Sequence, residues 1–559
     1  MVGSWANDLI DSRGERFQPM NAHERLRQVI DEWEARLLAS VPPDGQASIL
    51  ALIGTLDRQS RAPGIEPLPD LVTGYRRASL GGAKALQLCL ESIDNELATA
   101  QESGEALDGW AQRFLEACGH LTEAELVLTH CETGFMRLID DGNGAFDAWI
   151  ATKRPPASWR ERADIDWWVL SIARRHLPEP CDLRFRRPDP DSTVPGQGEH
   201  DGQLAAVHLA TMAYQLPYPP GASLSGLTIE TWRQTLVWLI GWVLRERDQN
   251  GVPEPRSEQS VVEEISSALA VDPDIIGPAV AAFTLDRQNA AWHAAVPGVA
   301  PPLVRIGPGQ IVASFLGLTT EPLFFLTREL RRRDAVAYHN TAHLREVAFR
   351  QDLYALFRDK RFVTSPGRIE LKRDIGNIRT DIDAAIFDRK TGTLGVFELK
   401  SPDPFARSVA ELTRQRENVL YANRQVSGVL DWLKRHGADA ILERIDRRTA
   451  KTFRVQKVYP FVLGRYLVHF NDGPEPDRRA AWATWPQVLR LLDGQPVSGA
   501  GANPLASLHT RLTKDTPIID PPTTGPSREI DLGAARLIVH PSYAAYQMTA
   551  SGGGSQQQH

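Results

Sequence analysis

Four charged residues, spaced so that they could meet, stand out in the last third of the chain. Asp381 and Asp383 are followed, 15 residues after Asp383, by Glu398 and then by Lys400. Each pair lies in a short stretch that is otherwise largely apolar, TDIDAAIFD and TLGVFELK. Alternate residues of a strand point to the same face, so each pair shares a face. If the two strands pair, three carboxylates and one ammonium group surround a small pocket.

Such a group of carboxylates is costly to bury unless a cation compensates the negative charge. Mg²⁺ suits this role, with Mn²⁺ as a substitute, because it prefers oxygen ligands and leaves positions for water and substrate phosphate. A Mg²⁺ ion held by Asp383 and Glu398 would polarise a scissile phosphate, and Lys400 would stabilise charge on the attacking side. The residues therefore predict metal-dependent hydrolysis of phosphodiester bonds.

The surrounding sequence predicts the elements that hold these residues. The segment RKTG between the two stretches contains Gly392, which favours a tight turn and therefore a β-hairpin. A helix is predicted before the hairpin, in TAHLREVAFRQDLYALFRD. After it we predict a long helix from about residue 405 to Gly437, and then a strand pair in VQKVYPFVLGRYLVHF. This order of elements indicates an α/β domain with a central mixed sheet flanked by helices.

The charge distribution supports a polyanionic partner for this part of the chain. Residues 331 to 460 contain 27 Lys and Arg against 17 Asp and Glu, a local charge of +10, whereas the whole protein carries −7. Neutralisation of phosphates by Lys and Arg supplies most non-specific affinity for nucleic acids. A solvated, helix-rich surface explains the same excess, so the charge alone leaves both interpretations open.

In this context, T-D-I-D followed by V-F-E-L-K resembles the PD-(D/E)XK nuclease superfamily over about residues 335 to 470. The resemblance implies a restriction-endonuclease-like fold, with Asp383, Glu398 and Lys400 as the catalytic set and Asp383 and Glu398 as metal ligands. Thr380-Asp381 stands where the family has Pro-Asp. Whether Asp381 or Asp383 binds the metal is therefore left open, with Asp383 favoured.

The same resemblance assigns roles to the two flanking helices. Members of the family often carry another metal-binding Glu on the preceding helix, and Glu346 occupies that place, although an ion pair with Arg350 explains it equally well. The following helix lines the nucleic-acid groove in the family, and Gln415 and Tyr421 lie on it at spacings that depart from the usual Gln and Tyr motif. The predicted nucleic-acid contacts are Arg407, Arg414, Gln415 and Arg424. A solvated helix face explains the three arginines as well.

The rest of the sequence predicts a multidomain protein in which an all-α N-terminal region precedes the α/β domain. Helical spacing of apolar residues marks a first domain over residues 1–184, and Pro, Gly, Asp and Ser cluster in a linker at 185–203. A second helical region spans 204–330, with Thr228 as an N-cap, and the nuclease-like domain spans 331–500. Residues 501–559 are rich in Pro, Gly and Ser, and we expect a mostly disordered tail with a short strand at ARLIVH.

Composition indicates a globular protein, with 42% apolar and 24% charged residues. Four cysteines, none in a CxxC pair, argue against a disulfide framework or a zinc ribbon and favour a reducing compartment. The first residues lack a basic segment followed by an apolar one, and no run of 18 apolar residues occurs. We therefore expect a cytoplasmic protein that does not contact membranes.

Together these observations predict a Mg²⁺-dependent endonuclease that acts on DNA in preference to RNA, such as a restriction or anti-phage defence effector. A homo-oligomer and a defence-system partner protein are both left open. The alternative from another class is a nucleic-acid-binding or scaffolding protein whose nuclease-like fold has lost catalysis. The intact set of two acids and one lysine favours the enzyme.

Overall fold

The computed structural model describes most of the chain in separate stretches. These are residues 21–60, 69–92, 104–150, 205–246, 254–295, 299–372, 378–402, 409–466, 476–492, 503–514 and 527–540, apart from a few positions inside them, together with Val468 and Val497. The predicted linker at 185–203 lies outside the described residues.

The described residues form a mixed α/β structure. Its principal helices are α1 (Ala22–Ala39), α2 (Gly45–Ser60), α3 (Pro69–Ser92), α4 (Gly104–Glu132), α5 (Ile229–Glu246), α6 (Glu258–Leu269), α7 (Pro273–Ala282), α8 (Ala290–Ala294), α9 (Phe315–Thr319), α10 (Pro322–Arg333), α11 (Ala335–Asn340), α12 (Ala342–Ala355), α13 (Val409–His436), α14 (Asp439–Ile445), α15 (Arg447–Thr452), α16 (Trp485–Leu491) and α17 (Pro504–Lys514).

The strands fall into sheets in both halves of the chain. They are β1 (Met136–Asp140), β2 (Ala145–Ile150), β3 (Ser223–Leu224), β4 (Leu227–Thr228), β5 (Arg256–Ser257), β6 (Thr284–Leu285), β7 (Leu303–Gly307), β8 (Gln310–Ala313), β9 (Phe362–Thr364), β10 (Ile369–Lys372), β11 (Ile378–Ile382), β12 (Ala384–Asp388), β13 (Thr393–Lys400), β14 (Lys457–Gly464), β15 (Ala481–Thr484), β16 (Arg528–Asp531) and β17 (Arg536–His540).

A five-stranded sheet carries the residues singled out in the sequence, in the order β15-β14-β13-β12-β9. Strands β12 and β13 are antiparallel, as are β12 and β9, whereas β13, β14 and β15 run parallel, so the sheet is mixed. Apolar side chains cover both faces. One core contains Phe397, Phe461 and Leu508, and the other contains Phe387, Val396 and Trp432. This burial explains why β12 and β13 read as nearly continuous apolar stretches.

The predicted hairpin is confirmed, and its turn is held by specific contacts. Asp388 is buried and accepts hydrogen bonds from Arg361 Nε at 2.8 Å and from the Lys390 amide at 3.0 Å. Gly392 has φ +65°, and a Cβ at this position would lie 2.7 Å from Cγ of Gln456. Glycine is therefore required there both by conformation and by space.

Other expectations for this part of the chain are confirmed or refined. Helix α12 forms where it was predicted, and α13 ends at His436 before Gly437, which has φ +78°. The first strand of the pair expected after α13 is confirmed as β14, and part of the rest of that segment lies outside the described residues. Strand β14 pairs in parallel with β13 and with β15.

The expectation of an all-α region before residue 331 is wrong. Strands β1 and β2 form a hairpin there, and β5-β8-β7-β6 form a four-stranded sheet. Strand β2 also pairs in parallel with β17, which lies almost 400 residues further along the chain. Local helical periodicity cannot show such a long-range partner. The helix α5 was predicted correctly, and the Thr228 hydroxyl accepts a hydrogen bond from the Thr231 amide at 3.0 Å.

The expected disorder after residue 500 is wrong for residues 503–514 and 527–540. The strand predicted at ARLIVH is confirmed as β17, which joins β16, β2 and β1 in one sheet. Helix α17 buries three leucines in the core of the five-stranded sheet, and its amphipathic spacing explains why it is ordered. These leucines are Leu505, Leu508 and Leu512.

The packing of α17 predicts that a fragment of residues 331–514 is more stable than one of residues 331–500. Losing three buried leucines should lower the free energy of unfolding by ~5 kcal/mol, at roughly 1.5–3 kcal/mol each. Urea denaturation of the two fragments measures this difference. In the longer fragment, Leu508→Ala should cost ~2–5 kcal/mol. Equal stabilities of the two fragments would show that α17 does not support this core.

One core also joins the beginning, middle and end of the chain. It contains Leu26 and Phe114 from the first helices, Phe325 from α10 and Leu537 from β17. Among the described residues, no single helix is long and apolar enough to cross a membrane, although the sharply bent pair α6 and α7 together reaches the required length and composition.

Candidate active site

Charged side chains meet at one end of the five-stranded sheet. They come from helix α12, strand β11, the bend between β11 and β12, and strand β13. Glu346 lies on α12, Asp381 on β11, and Asp383 at the bend between β11 and β12. Glu398 and Lys400 lie near the end of β13. The structure therefore brings together all five residues predicted for catalysis and metal binding.

Asp383 occupies a break in what the sequence indicated as one continuous strand. Strand β11 pairs with β10, whereas β12 pairs with β13 and β9, so the chain changes partners at this residue. Its main-chain carbonyl accepts a hydrogen bond from Arg350 Nε at 2.6 Å, and its carboxylate accepts one from the Leu399 amide at 2.8 Å. Arg350 and Leu399 thereby fix Asp383 beside Glu398.

Glu398 and Lys400 form a close ion pair in a largely buried setting. The Lys400 Nζ lies 2.6 Å from Glu398 Oε1 and donates a hydrogen bond to Gln425 Oε1 at 2.8 Å. Glu398 is only 6% exposed and Asp383 only 5% exposed. Asp383 lies beside Glu398, because its carboxylate accepts a hydrogen bond from the amide of the next residue, Leu399. Two acids and one ammonium group thus share a small volume with little solvent.

Burial raises the pKa of three carboxyl groups in this cluster. Burial is the main cause for Glu398, whose pKa lies well above its usual value, and repulsion from Asp383 adds to the effect. Burial likewise raises the pKa of Asp383, against the opposing effect of the Leu399 amide. The pKa of Glu346 is raised by burial and then by Asp383. Without a cation, the site therefore disfavours the ionised forms of these acids.

Lys400 is the cation of this cluster. Burial lowers the pKa of its ammonium group, but attraction to Glu398, Asp383 and Glu346 outweighs burial, so the pKa is raised. Lys400 therefore stays charged at neutral pH. Its Nζ also lies 5.5 Å from the centre of the Tyr421 ring, which adds a cation–π contact on the solvent side.

Asp381 and Glu398 line a small open pocket with a cavity volume of about 20 Å³, and its other lining residues are apolar, among them Val426 and Pro460. Asp381 forms an ion pair with Arg368 at 3.0 Å and accepts a hydrogen bond from Gln425 Nε2 at 3.2 Å. Asp381 is thus partly neutralised and faces the mouth of the site. This placement gives Asp383 the inner position and Asp381 the outer one.

Gln425 is a site residue that the sequence reasoning missed. Its side-chain amide bridges Lys400 and Asp381, so it fixes the lysine relative to the outer carboxylate. The sequence contained a usable signal, because Gln425 lies four residues after Tyr421 and therefore on the same face of α13. The favoured glutamine, Gln415, is buried on α13, ten residues and ~15 Å further from this point.

Of the arginines predicted to contact nucleic acid, the two that are described lie on the surface of α13. Arg414 and Arg424 are exposed on α13. The guanidinium carbon of Arg424 lies 5.2 Å from the centre of the Tyr421 ring, which is itself half exposed. Arg407 lies outside the described residues. Their contacts with nucleic acid stay a prediction.

The chemistry of the donor set fits a hard divalent cation. The cluster offers carboxylate oxygens, which suit Mg²⁺ and Mn²⁺, and a bound cation would offset the cost of ionising its buried acids, whose pKa values burial raises. In the part of the chain that is described, no three acidic, His or Cys side chains are already drawn into a metal-holding arrangement. The Lys400 ammonium group instead neutralises Glu398, so a bound cation would compete with it.

Comparisons with models of protein families, with curated proteins and with solved structures found no match for this chain.

Proposed function

We propose that the protein is a Mg²⁺-dependent endonuclease that hydrolyses phosphodiester bonds, in DNA in preference to RNA. In this proposal the chain is multidomain, and the part from residue 331 through α17 is a restriction-endonuclease-like domain. A restriction or anti-phage defence role belongs to the same proposal. So does a cytoplasmic location, which the free thiols of Cys89, Cys118 and Cys131 favour.

One observation carries the proposal, namely the pair of buried, adjacent carboxyl groups beside a charged lysine. Asp383 and Glu398 are almost fully buried, and Lys400 lies 2.6 Å from Glu398. A hairpin whose charges served only solubility would expose them and pair each acid with a base. Here the acids lie together, burial raises their pKa values, and Glu398 lines a small pocket between helix α13 and the central strands. Such perturbed groups are typical of functional sites.

The chain's own residues supply the positioning and the charge. Asp383 and Glu398 would hold the divalent cation, which when bound polarises the scissile phosphate. Lys400, held by Gln425 and Glu398, presents a fixed positive charge to the phosphate oxygens as negative charge develops on them. Arg350 and the Leu399 amide keep Asp383 in place without occupying its whole carboxylate.

The direct test is incubation of the purified full chain with supercoiled plasmid, linear duplex, single-stranded DNA and RNA. We expect nicking or linearisation of plasmid with Mg²⁺ or Mn²⁺ and none with excess EDTA. DNA should be cut faster than RNA. Salt-sensitive DNA binding without cleavage in either metal would instead favour the alternative of a catalytically inactive, nucleic-acid-binding protein. If the protein neither binds nor cleaves nucleic acid, the nuclease proposal and the alternative are both rejected.

A further inference from the structure

Exposed cations cluster at the end of the five-stranded sheet opposite the acid cluster. We name them the turn-end basic surface, and they are Lys360, Arg389, Lys390, Arg447, Arg448, Lys451, Arg454 and Lys457. They come from four separate segments: the loop after α12, the β12–β13 turn, helix α15, and the chain entering β14. No local sequence pattern predicts that these segments meet.

Direct contacts hold the four segments together. Arg389 donates hydrogen bonds to the Lys360 carbonyl and to the Thr449 hydroxyl, both at 3.2 Å, and so connects the first three segments. The Gln456 amide donates to the Gly392 carbonyl at 2.7 Å, which fixes the chain before β14 against the same turn. The cations are therefore held on one side of a rigid frame.

Carboxylates near this surface do not balance its charge. Asp388 is buried and paired with Arg361, so these two neutralise each other. Asp446 and Asp439 pair with two arginines of this surface, since Asp446 lies 4.0 Å from Arg389 and Asp439 lies 3.8 Å from Arg454. The other acids nearby are Asp359 and Glu443. Eight exposed cations therefore face four carboxylates, and cations stay in excess after these two pairs are counted.

The composition of the surface points to a nucleic-acid backbone as its partner. Among the described residues, the exposed large hydrophobic side chains are Ile139, Ile275, Val336 and Tyr421, none of which belongs to this surface. Protein interfaces and membrane-binding surfaces generally add apolar or aromatic anchors. A surface of cations without such anchors suits phosphates, which Lys and Arg bind without reading sequence.

We infer that the turn-end basic surface binds the phosphate backbone of duplex DNA away from the point of cleavage, an inference that rests on the proposed nuclease function. Strand β13 connects the two sites, and its seven residue steps from Thr393 to Lys400 span ~23 Å at about 3.3 Å each. At about 3.4 Å per base pair this corresponds to ~7 base pairs. A duplex must therefore extend beyond this length to reach both sites.

The test uses the full chain carrying Glu398→Gln, so that DNA is bound but not cut, and a labelled 20-base-pair duplex. The further variant combines Arg447→Gln, Arg448→Gln and Lys451→Gln. A matched control removes the same charge from exposed positions elsewhere, with Arg36→Gln, Arg113→Gln and Arg287→Gln. Fluorescence anisotropy gives Kd from 50 to 300 mM NaCl, and a parallel arm uses phosphatidylserine vesicles.

We expect the surface variant to flatten the plot of log K against log salt by up to ~2.7 units and to weaken binding on the order of 10²-fold at 0.1 M. The control should leave the slope unchanged. An unchanged slope in the surface variant, or binding to vesicles but not to DNA, overturns the inference.

Cleavage assays on the chain with intact Glu398 distinguish failure of this inference from failure of the proposed nuclease function. In that background the surface variant should raise KM for the 20-base-pair duplex without changing kcat. If the wild type cuts DNA but the surface variant keeps the wild-type KM and salt slope, the inference alone fails. If the wild type does not cut DNA but the surface variant flattens the salt dependence of binding, the surface binds DNA and the nuclease proposal fails.

Discussion

Replacing Glu398 with Gln is expected to abolish cleavage while making the metal-free protein more stable at neutral pH. Losing a metal-binding carboxylate removes several kcal/mol of transition-state stabilisation, so the cleavage rate should fall by about 10³-fold or more. Stability should rise because the variant no longer buries a second carboxylate beside Asp383. A variant that had merely misfolded would lose both activity and stability.

The direction of the stability change follows from the raised pKa values. The folded protein retains the protons of Glu398 and Asp383 at pH values where the unfolded chain, with carboxyl pKa values of about 4, has released them. The folded state then binds more protons than the unfolded state, and the free energy of unfolding falls as pH rises through this interval. Glutamine cannot ionise, so Glu398→Gln should flatten this fall.

Thermal denaturation of the wild type and of Glu398→Gln from pH 5 to pH 8, with EDTA and with Mg²⁺, measures the gain in stability and its dependence on pH. Mg²⁺ should raise the melting temperature of the wild type and not that of Glu398→Gln. Glu417→Gln, which removes the same charge from an exposed position on α13, serves as the matched control and should change neither curve. Metal-dependent cleavage by Glu398→Gln at the wild-type rate would falsify the site assignment.

The sequence was most informative where short-range pattern determines structure. The hairpin could be predicted because an apolar stretch, a turn with Gly392 and a second apolar stretch follow one another, and each signal is local. Four charged residues of the site could be named for the same reason, since strand alternation places Asp381 with Asp383 and Glu398 with Lys400. Glu346 was named from the family resemblance. The break at Asp383 could not be predicted, because the main-chain carbonyl of Asp383 is held by Arg350, which lies on helix α12.

Features that depend on distant partners were missed. The β2–β17 pairing joins residues nearly 400 positions apart, and α17 is ordered because it covers a sheet that begins more than 100 residues earlier. The spacing of Gln425 from Tyr421 pointed to the right face of α13, but the contact of Gln425 with Lys400 is visible only in the folded chain. The +10 charge of residues 331–460 was visible in the sequence, but its concentration at the β12–β13 turn depends on the folded chain.

Lys400→Ala is expected to separate catalysis from metal binding. The cleavage rate should fall by roughly 10²- to 10³-fold, as for removal of one preorganised charge-stabilising group. Metal affinity should be retained or increased, because the ammonium group that lies 2.6 Å from Glu398 would no longer compete with the cation for that carboxylate. Lys400→Arg should also lose activity, since a planar guanidinium group differs in size and geometry from the compact ammonium group.

Calorimetric titration with Mn²⁺ and single-turnover cleavage of a plasmid measure the two properties separately. Lys434→Ala, which removes an exposed lysine near the end of α13, is the matched control and should alter neither. Without its ammonium group the cluster holds more uncompensated negative charge, so the metal-free Lys400→Ala protein should melt at a lower temperature than the wild type and gain more from added Mg²⁺. If Lys400→Ala instead lost metal binding and kept its cleavage rate, Lys400 would act as a support for the metal ligands and not on the phosphate.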